Sequence, residues 1–326
     1  MVRKEHSGNL RVFVLGSFVA ACSAKVEQLP RPGESLRAQS FTLEAGGKGF
    51  NLAVGARRLG AAVDGALAVG DDFFSQLARP ALADAGLSTD MLRIYPGATG
   101  SGVGFTDKAG ENCLAVYPGA NLLLSAADMR SKSEAIARAR LVLAQFEIGN
   151  EPIAEAFRLA RQTGTLTLLN PSPYRDVPAE ILAHTSILVL NRVEAIHIGS
   201  ALQIAKASDA ASADVASLRS LAQQLLAHGP ETVLVTLGAE GALACRRDGT
   251  MLHQPAFAVD VVDTLGAGDA FSAGLAVSLA EDRPFEECLT RAAACGAMAA
   301  RRLGVLQALP DRAELEEFLG NFTPAG

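Results

Sequence analysis

The chain has 326 residues, of which 49% are apolar and 20% are charged, a balance typical of a globular protein rather than a disordered one. Its formal net charge of -6 argues against a general nucleic-acid-binding protein, which needs a basic face to meet phosphates. No uncharged stretch has the length and bulky aliphatic character of a membrane span, so we expect no membrane association.

The cysteines argue against a disulfide framework or a structural zinc site, because their number is odd and no two have a C-x-x-C spacing. This usage fits a reducing compartment, and we expect a cytoplasmic protein. The five are Cys22, Cys113, Cys245, Cys288 and Cys295.

A short apolar run from Val12 to Ala21 precedes Cys22 and resembles the export signal of a lipoprotein. Gly16 and Ser17 interrupt this run, so we interpret its first part, Val12–Leu15, as belonging to the first strand of the fold. The mass of the mature N-terminus would reveal the exported alternative.

Strand-like apolar runs alternate with helix-like periodic segments along most of the chain. The predicted strands are Arg11–Leu15, Val63–Val69, Leu141–Gln145, Thr165–Leu169, Ile187–Leu190 and Thr232–Leu237. The predicted helices are Asn51–Leu59, Asp72–Ala85, Glu151–Gln162, Ser212–His228, Gly268–Ala280 and Pro284–Leu303. This alternation favours an α/β fold with a mainly parallel sheet that helices cover on both faces.

Two stretches break this alternation. Glu34–Leu43 alternates loosely, and Thr99–Phe105 with Asn112–Tyr117 predicts a hairpin around a turn at Asp107–Gly110. We interpret them as a small β-sheet that covers one end of a single domain, residues 1–326, as a lid inserted at about 32–46 and 97–120. A surface hairpin is the alternative. An exposed lid edge also predicts a homodimer, since edge strands invite pairing.

The segment Asp263–Phe271 (DTLGAGDAF) opens an apolar helix after a strand-like run, Phe257–Val262. Gly266 and Gly268 let the backbone turn tightly, and the helix dipole adds positive potential there. The segment therefore predicts an anion hole for a transferring phosphoryl group, with Asp269 beside it to accept a proton from an attacking hydroxyl. The alternative is an ordinary glycine turn with a capping Asp.

A second glycine-rich segment, Gly46–Asn51 (GGKGFN), also enters a helix. Asn51 can donate and accept hydrogen bonds, which suits sugar hydroxyls. Lys48 precedes Gly49 where a P-loop requires Ser or Thr, so a P-loop kinase is disfavoured. Taken alone, the segment also fits a structural turn with Asn51 as the helix N-cap.

In this order the two segments resemble the signatures of the ribokinase-like, PfkB-type carbohydrate kinases, and the resemblance covers nearly the whole chain. Further matching segments follow in the family's order: Gly16-Ser17, Arg31–Glu34, Tyr117–Asn121, Leu169–Pro173, Asn191–Glu194 and Thr236–Gly238. The resemblance implies a ribokinase-like α/β fold and an ATP-dependent kinase that phosphorylates a primary hydroxyl of a sugar.

The resemblance also implies roles for individual residues. Asp269 would be the general base, and the anion hole would be formed by Gly266, Ala267 and Gly268. The sugar site would be lined by Gly46, Gly47, Lys48, Asn51 and Glu147. The nucleotide would be bordered by Thr236, Gly238 and Gly241, with Mg²⁺ organised through water by Asn191 and Glu194. A monovalent cation such as K⁺ would lie between two loops that contain Asp263, Leu265, Ala299, Arg302 and Gly304.

Three positions depart from the family pattern. Ribokinases carry an Asn and, two residues on, an Asp that hydrogen-bonds ribose, where this chain has Val19 and Ala21. Unpaired hydroxyls in a dry site cost roughly 1–3 kcal/mol each, so ribose is disfavoured. With Phe50 nearby, the pocket favours a modified sugar, a hexose derivative or a nucleoside, unless another side chain restores the contact. Ala308 replaces a frequent Ser of the cation site, which leaves K⁺ dependence open.

Three other activities stay open at this point. A nucleoside kinase would stack the base on an aromatic ring such as Phe50 or Tyr117. A catalytically weak sugar-binding or nucleotide-binding protein is the alternative from another class, against which the intact glycine motif argues. A sugar-phosphate kinase would need basic side chains, for which the candidates are Lys25, Arg37 and Lys48.

Overall fold

A computed structural model describes residues 10–109, 111–204 and 214–321. The strands are β1 (Arg11–Ser17), β2 (Val19–Lys25), β3 (Ser40–Gly46), β4 (Ala62–Val69), β5 (Leu92–Ile94), β6 (Ser101–Thr106), β7 (Asn112–Tyr117), β8 (Leu141–Gln145), β9 (Leu166–Asn170), β10 (Ile187–Asn191), β11 (Thr232–Thr236), β12 (Ala242–Arg246) and β13 (Met251–Gln254). The helices are α1 (Lys48–Arg58), α2 (Ala78–Asp84), α3 (Ala126–Ser131), α4 (Ser133–Arg138), α5 (Asn150–Gln162), α6 (Ala179–Ala183), α7 (Arg192–Ala201), α8 (Val215–Leu225), α9 (Ala267–Ala280), α10 (Phe285–Ala300) and α11 (Arg312–Asn321).

Nine of the described strands form one sheet in the order β13-β12-β11-β10-β9-β8-β1-β4-β5. All neighbouring pairs from β11 to β5 are parallel, and β12 and β13 add an antiparallel hairpin at one edge. The predicted mainly parallel α/β fold is confirmed. Because parallel strands share their direction, the residues that follow β1, β8, β9, β10 and β11 meet at one edge of the sheet, where ligands bind in such folds.

Two apolar cores lie on the two faces of this sheet. Val12 and Val14 of β1 belong to the core that contains α1, α9 and α10. Phe13 and Leu15 belong to the core that contains α5 and α8. Successive side chains of a strand point to opposite faces, so a strand buried on both faces is apolar throughout, as β1 is.

The other four described strands form a small sheet in the order β3-β2-β6-β7, which we call the lid sheet. Strand β2 is antiparallel to β3 and parallel to β6, and β6 is antiparallel to β7. Strand β2 was not predicted as a lid strand, because the apolar run continues from β1 through Phe18 into it. Strand β3 begins only at Ser40, so residues 32–39 are not a strand.

The strand-like run Phe257–Val262 was wrongly interpreted, because it has no regular secondary structure. The backbone N–H groups of Val262 and Asp263 donate to the carbonyl oxygen of Ala300, at 2.8 and 3.2 Å, at the end of α10. Its hydrogen bonds therefore go to a helix end instead of a neighbouring strand. The hairpin β12–β13 and the short strand β5 were not predicted.

The helix predicted for Asp72–Ala85 is interrupted, with a 3₁₀ turn at Phe73–Leu77 before α2. Pro80 explains the break, since proline lacks the N–H that a continuous helix needs there and is tolerated only in the first turn. Ser212, the predicted start of the helix that contains α8, lies outside the described residues. Within the described ranges, no helix combines the length and apolar character needed to cross a membrane.

Candidate active site

The end of β1 and the start of α1 pack backbone against backbone. A Cβ atom on Gly16 would lie 2.5 Å from Gly49 Cα, and one on Gly49 would lie 2.3 Å from the Ser17 nitrogen. Gly47, with φ of 98°, is the N-cap of α1, so the N-cap role considered for Asn51 is wrong. Only glycine allows this approach, which brings the N-terminus of α1 to the ligand-binding edge of the main sheet.

A buried polar network holds this junction together. Ser17 Oγ donates to Glu147 Oε2 at 2.5 Å and accepts hydrogen bonds from Gln145 Nε2 at 3.0 Å and the Gly49 N–H at 3.2 Å. Glu147 Oε2 also accepts a hydrogen bond from the Lys48 N–H at 2.9 Å. Ser17 and Gln145 are fully buried. Gln145 was not among the predicted site residues, although its single polar side chain at the end of an otherwise apolar strand is a local signal for one.

Asp269 lies in the first turn of α9, only 4% exposed, and faces α1. Asn51 Nδ2 donates to Asp269 Oδ2 at 2.8 Å, and Lys48 Nζ lies 3.7 Å from Oδ1. Burial raises the pKa of Asp269, while the Lys48 charge and the Asn51 amide oppose this rise. The fold thus brings Lys48, Asn51 and Asp269 into contact, with Glu147 bonded to the same turn of α1.

The turn before α9 requires Gly266. Its φ is 76°, and a Cβ atom there would lie 2.6 Å from Val305 Cγ1. N–H groups in the first turn of a helix have no acceptor within that helix, although the Ala267 N–H donates to the Thr264 carbonyl oxygen at 3.3 Å. A Cβ atom on Gly268 would meet nothing within 4 Å, so this side of the turn is open to a ligand.

A cavity of about 260 Å³ opens beside Asp269 and Gly268 at the ends of β9, β10 and β11. A helix N-terminus carries positive potential and suits an anionic ligand at this position. The polar lining of the cavity includes Lys48, Asn170, Ser172, Asn191, Glu194 and Thr236. Asn170 and Ser172 were noted only as parts of a matching segment, not as site residues.

Asn191 and Glu194 form a capping box at the start of α7. Asn191 Oδ1 accepts a hydrogen bond from the Glu194 N–H, and Glu194 Oε2 accepts one from the Asn191 N–H, each at 2.8 Å. Burial raises the pKa of Glu194. Hydrogen bonds from Asn191 and Ser172 and the positive charge of Lys48 oppose this rise. The carboxylate therefore has both a structural partner and a position at the cavity wall.

A second cavity, of about 470 Å³, adjoins the first and shares Thr236 and Gly268 with it. Gly238 and Gly241 border it on one side. The opposite wall is apolar and includes Phe257, Val259, Phe271, Ala293 and Ala297. Its volume and apolar lining suit a small aromatic ligand. This apolar wall was not predicted from the sequence.

The two loops proposed for a monovalent cation are adjacent. The Gly304 N–H donates to Asp263 Oδ2 at 3.4 Å, and Ala299 is fully buried at the end of α10. Arg302 pairs with Glu314 instead, and Leu265 is 55% exposed, so neither side chain contributes to such a site. Any contribution from these two residues would come from the backbone.

Near the lid, the structure contradicts the expectation that Phe50 could stack on a nucleoside base. Phe50 is 1% exposed and packs edge-on against Phe18, with ring centroids 5.5 Å apart, so it belongs to the core and is not free to stack on a base. Tyr117 is 58% exposed. Val19 is buried, and Ala21 is half-buried.

Most of the chain matches known relatives. The sequence matches the family described as "pfkB family carbohydrate kinase" over residues 9–312. It is 31% identical over 307 residues to the ribokinase of Haemophilus influenzae, covering 94% of this chain and 97% of that one. It is 30% identical over 311 residues to the deoxyribokinase of Salmonella typhi, covering 94% and 98%. The Arabidopsis thaliana ribokinase, solved in complex with ribose and ATP, aligns with a TM-score of 0.86 at 27% identity, covering 97% of this chain and 100% of that one. The chain therefore belongs to the pfkB family of carbohydrate kinases.

Proposed function

We propose that this carbohydrate kinase transfers the γ-phosphoryl group of ATP to a primary hydroxyl of a sugar, with Asp269 as the general base. The observation that carries the proposal is the position of Asp269. Its buried carboxylate lies between Asn51 and Lys48 of α1 and the open turn at Gly268. A hydroxyl that meets this carboxylate also faces the cavity proposed for the phosphates.

The chemical step follows from this arrangement. The hydroxyl proton passes to Asp269 as the hydroxyl oxygen attacks the γ-phosphorus, and the bond to the bridging oxygen breaks to release ADP. The anion hole at Gly266, Ala267 and Gly268 stabilises the transferring group. Lys48 Nζ, 3.7 Å from the carboxylate, supplies positive charge at the same place.

The proposed sugar site lies at the start of α1. Asn51 Oδ1 is buried without a hydrogen-bond partner among the described residues, so it can accept a hydrogen bond from a sugar hydroxyl. The other proposed sugar-binding residues are Gly46, Gly47, Lys48 and Glu147. The names of the relatives favour a pentose, whereas Val19 and Ala21 favour a substrate with fewer hydroxyls or an apolar substituent on that side.

ATP fits the two adjoining cavities, with the base in the apolar one, beside Thr236, Gly238 and Gly241, and the phosphates in the polar one. The described residues contain no group of three or more His, Cys, Asp or Glu side chains that could hold a metal ion. Mg²⁺ is usually held by phosphates, waters and one or two carboxylates, and here Asn191 and Glu194 would orient the waters. Mg²⁺ bound there would neutralise charge on the phosphates.

For the monovalent cation we propose a K⁺ site between the two adjacent loops. Its oxygens would come mainly from the backbone of Asp263, Leu265, Ala299, Arg302 and Gly304. Ala308 is fully buried and brings no hydroxyl, so the site would lack one ligand. Turnover measured in K⁺ against Na⁺ at equal ionic strength tests this site.

The decisive experiment is ADP release by the purified protein with Mg-ATP across free sugars, sugar phosphates and nucleosides, with Asp269→Asn as the control. Turnover on free sugars that the substitution abolishes would support the proposal. Undiminished turnover by Asp269→Asn would remove Asp269 as the base. ATP binding without turnover on any substrate would instead favour the binding-protein alternative.

We also propose that the protein is a homodimer joined through the lid sheet. The strand registers place Phe41 of β3, Val103 of β6 and Tyr117 of β7 on one face of this sheet, and these side chains are 64%, 48% and 58% exposed. A contiguous exposed apolar face of this kind marks a protein contact. A second copy of the lid would cover it.

A further inference from the structure

We infer that Glu44 of the lid binds the sugar. Its carboxylate accepts hydrogen bonds from substrate hydroxyls, which the methyl group of Ala21 cannot do. This inference rests on the proposed sugar site at the start of α1. It assigns to β3 the polar contact that β2 lacks at Val19 and Ala21.

The register of the lid sheet places Glu44 on the same face as Ala21. In the antiparallel pair β2–β3, Ala21 lies opposite Glu44, and Val19 lies opposite Gly46. Side chains directly opposite each other in such a pair point to one face, with Cβ atoms about 4.5–5.5 Å apart. A Cβ atom on Gly46 would lie 3.7 Å from Ala21 Cβ, which confirms the shared face. Glu44 therefore faces the same way as Gly46, a residue of the proposed sugar site.

The two faces of the lid sheet differ in chemistry. On the face of Glu44, Ala21 and Ser23 are paired with Gly102 and Gly104 of β6, and the exposed side chains of Leu114 and Val116 on β7 lie beside these glycines. The opposite face carries Phe41, Leu43, Val103 and Phe105 and suits a protein partner. The face that holds Glu44 also carries Ser23 and Thr42, so it offers hydrogen-bonding groups to a polyol.

The Glu44 side chain is available to a ligand. It is exposed and has no hydrogen bond or ion pair to any part of the chain that the structure describes. Two other carboxylates near the lid are already engaged, since Glu27 pairs with Lys108 at 2.6 Å and Glu34 accepts a hydrogen bond from the Arg31 N–H at 3.1 Å. An ionised carboxylate only accepts hydrogen bonds, so hydroxyl donors are its natural ligands.

The length of the Glu44 side chain allows a carboxylate on β3 to take the place of one at position 21 on β2. Glu has one methylene more than Asp, so a carboxylate based at Glu44 can lie over Ala21 from the neighbouring strand. The ligand-facing surface then combines an apolar patch at Val19 and Ala21 with one carboxylate beside it. Such a surface suits a sugar with hydroxyls on the β3 side and a deoxygenated or substituted carbon over Ala21.

The test combines sugar binding by calorimetry with ADP release, using D-ribose, 2-deoxy-D-ribose and D-fructose. We expect Glu44→Ala and Glu44→Gln to raise the sugar Kd and KM by about tenfold to a hundredfold, the loss of a charge-assisted hydrogen bond, with an unchanged KM for ATP. Glu111→Gln, an equal charge change at the tip of the lid hairpin, should behave as the wild type. The double variant Ala21→Asp/Glu44→Ala, which moves the carboxylate back to β2, should recover most of the affinity.

The outcomes separate this inference from the proposed function. A sugar Kd and KM in both Glu44 variants within about twofold of the wild type would overturn the role of Glu44 and leave the kinase proposal standing. A wild-type protein that binds sugar without releasing ADP would contradict the kinase proposal, while the Kd values still decide on Glu44. A wild type that binds none of the sugars would overturn both.

Discussion

At the scale of single residues, Asp269 shows how burial and pairing act against each other. Burial favours its protonated form and raises its pKa, while Lys48 and Asn51 favour the carboxylate. A raised pKa in the folded state means that the contribution of this group to the free energy of unfolding is greatest when it is protonated and declines as pH rises through that pKa. An Asp269 carboxylate that is ionised at neutral pH, as the proposed base requires, therefore lowers the free energy of unfolding.

Replacing Asp269 with Asn separates activity from stability. We expect kcat to fall by several orders of magnitude, of which loss of the base accounts for roughly 10²–10⁴. We expect no decrease in Tm at pH 7, because the buried charge is removed and the new amide oxygen can still accept the hydrogen bond from Asn51. Thermal unfolding and turnover measured on the same preparation check both statements, and a marked loss of Tm would contradict the second.

The raised pKa of Asp269 should also determine how kcat depends on pH. Asp269 must be ionised to accept a proton. We therefore expect kcat to decline on the acid side, with a midpoint at a pH above 3.8, the ordinary pKa of an Asp side chain. Lys48→Met removes the charge that most opposes the rise, so the acid limb should move to higher pH whatever the loss in rate. Rates measured from about pH 4 to pH 9 check this. A limb at unchanged pH in the variant would show that another group controls it.

At the scale of elements, the contact between β1 and α1 decides where the site residues lie. Sequence patterning predicted the helix as Asn51–Leu59, because glycine is a poor helix former and the GGKG run resembles a turn. The helix in fact begins at Lys48. Its first turn is held by the Lys48 N–H to Glu147 and by the Gly49 N–H to Ser17, two contacts with segments distant in sequence.

Gly49→Ala tests this contact. The added methyl would lie 2.3 Å from the Ser17 nitrogen, so the backbones must separate, and Lys48 and Asn51 would move away from Asp269. We expect a loss of about 1–3 kcal/mol in the free energy of unfolding, as overpacking usually costs, together with a large fall in kcat. Urea denaturation and turnover measure the two effects.

Gly320→Ala is the matched control for this substitution. Gly320 lies in the last turn of α11, and a Cβ atom there meets no atom within 4 Å. Alanine is the better helix former, so stability should stay equal or rise slightly, with turnover unchanged. Equal effects of the two substitutions would mean that the β1–α1 contact is not what Gly49 provides.

At the scale of the whole molecule, the proposed ATP site and the proposed sugar site are formed by different parts of the chain. The apolar cavity proposed for the base is walled by α9 and α10 together with the loop 256–261. The proposed sugar site is formed by α1 and the lid sheet. Asp269 lies where the two meet, because α1 packs directly against α9. The two proposals assign one face of the lid to the ligand and the other to a partner chain.

Val103→Glu tests the proposed dimer. A charge on the apolar lid face should convert the dimer to a monomer, because a buried unpaired carboxylate is costly. Met251→Glu is the control, since Met251 is also 48% exposed but lies on β13 at the far edge of the main sheet. Light scattering after size exclusion reports the mass of each. A wild-type protein with monomer mass would contradict the proposal.

The sequence by itself determined the parallel α/β fold and the two glycine-rich segments, because strand and helix periodicity and glycine turns are local properties of the chain. Only the tertiary structure decided that β2 belongs to the lid, that Gln145 and Ser17 hold the start of α1, and that Glu44 lies opposite Ala21. These facts depend on strand register and on contacts between segments far apart in the chain. A one-residue change of register would turn Glu44 to the other face of the lid, and no local pattern sets that register.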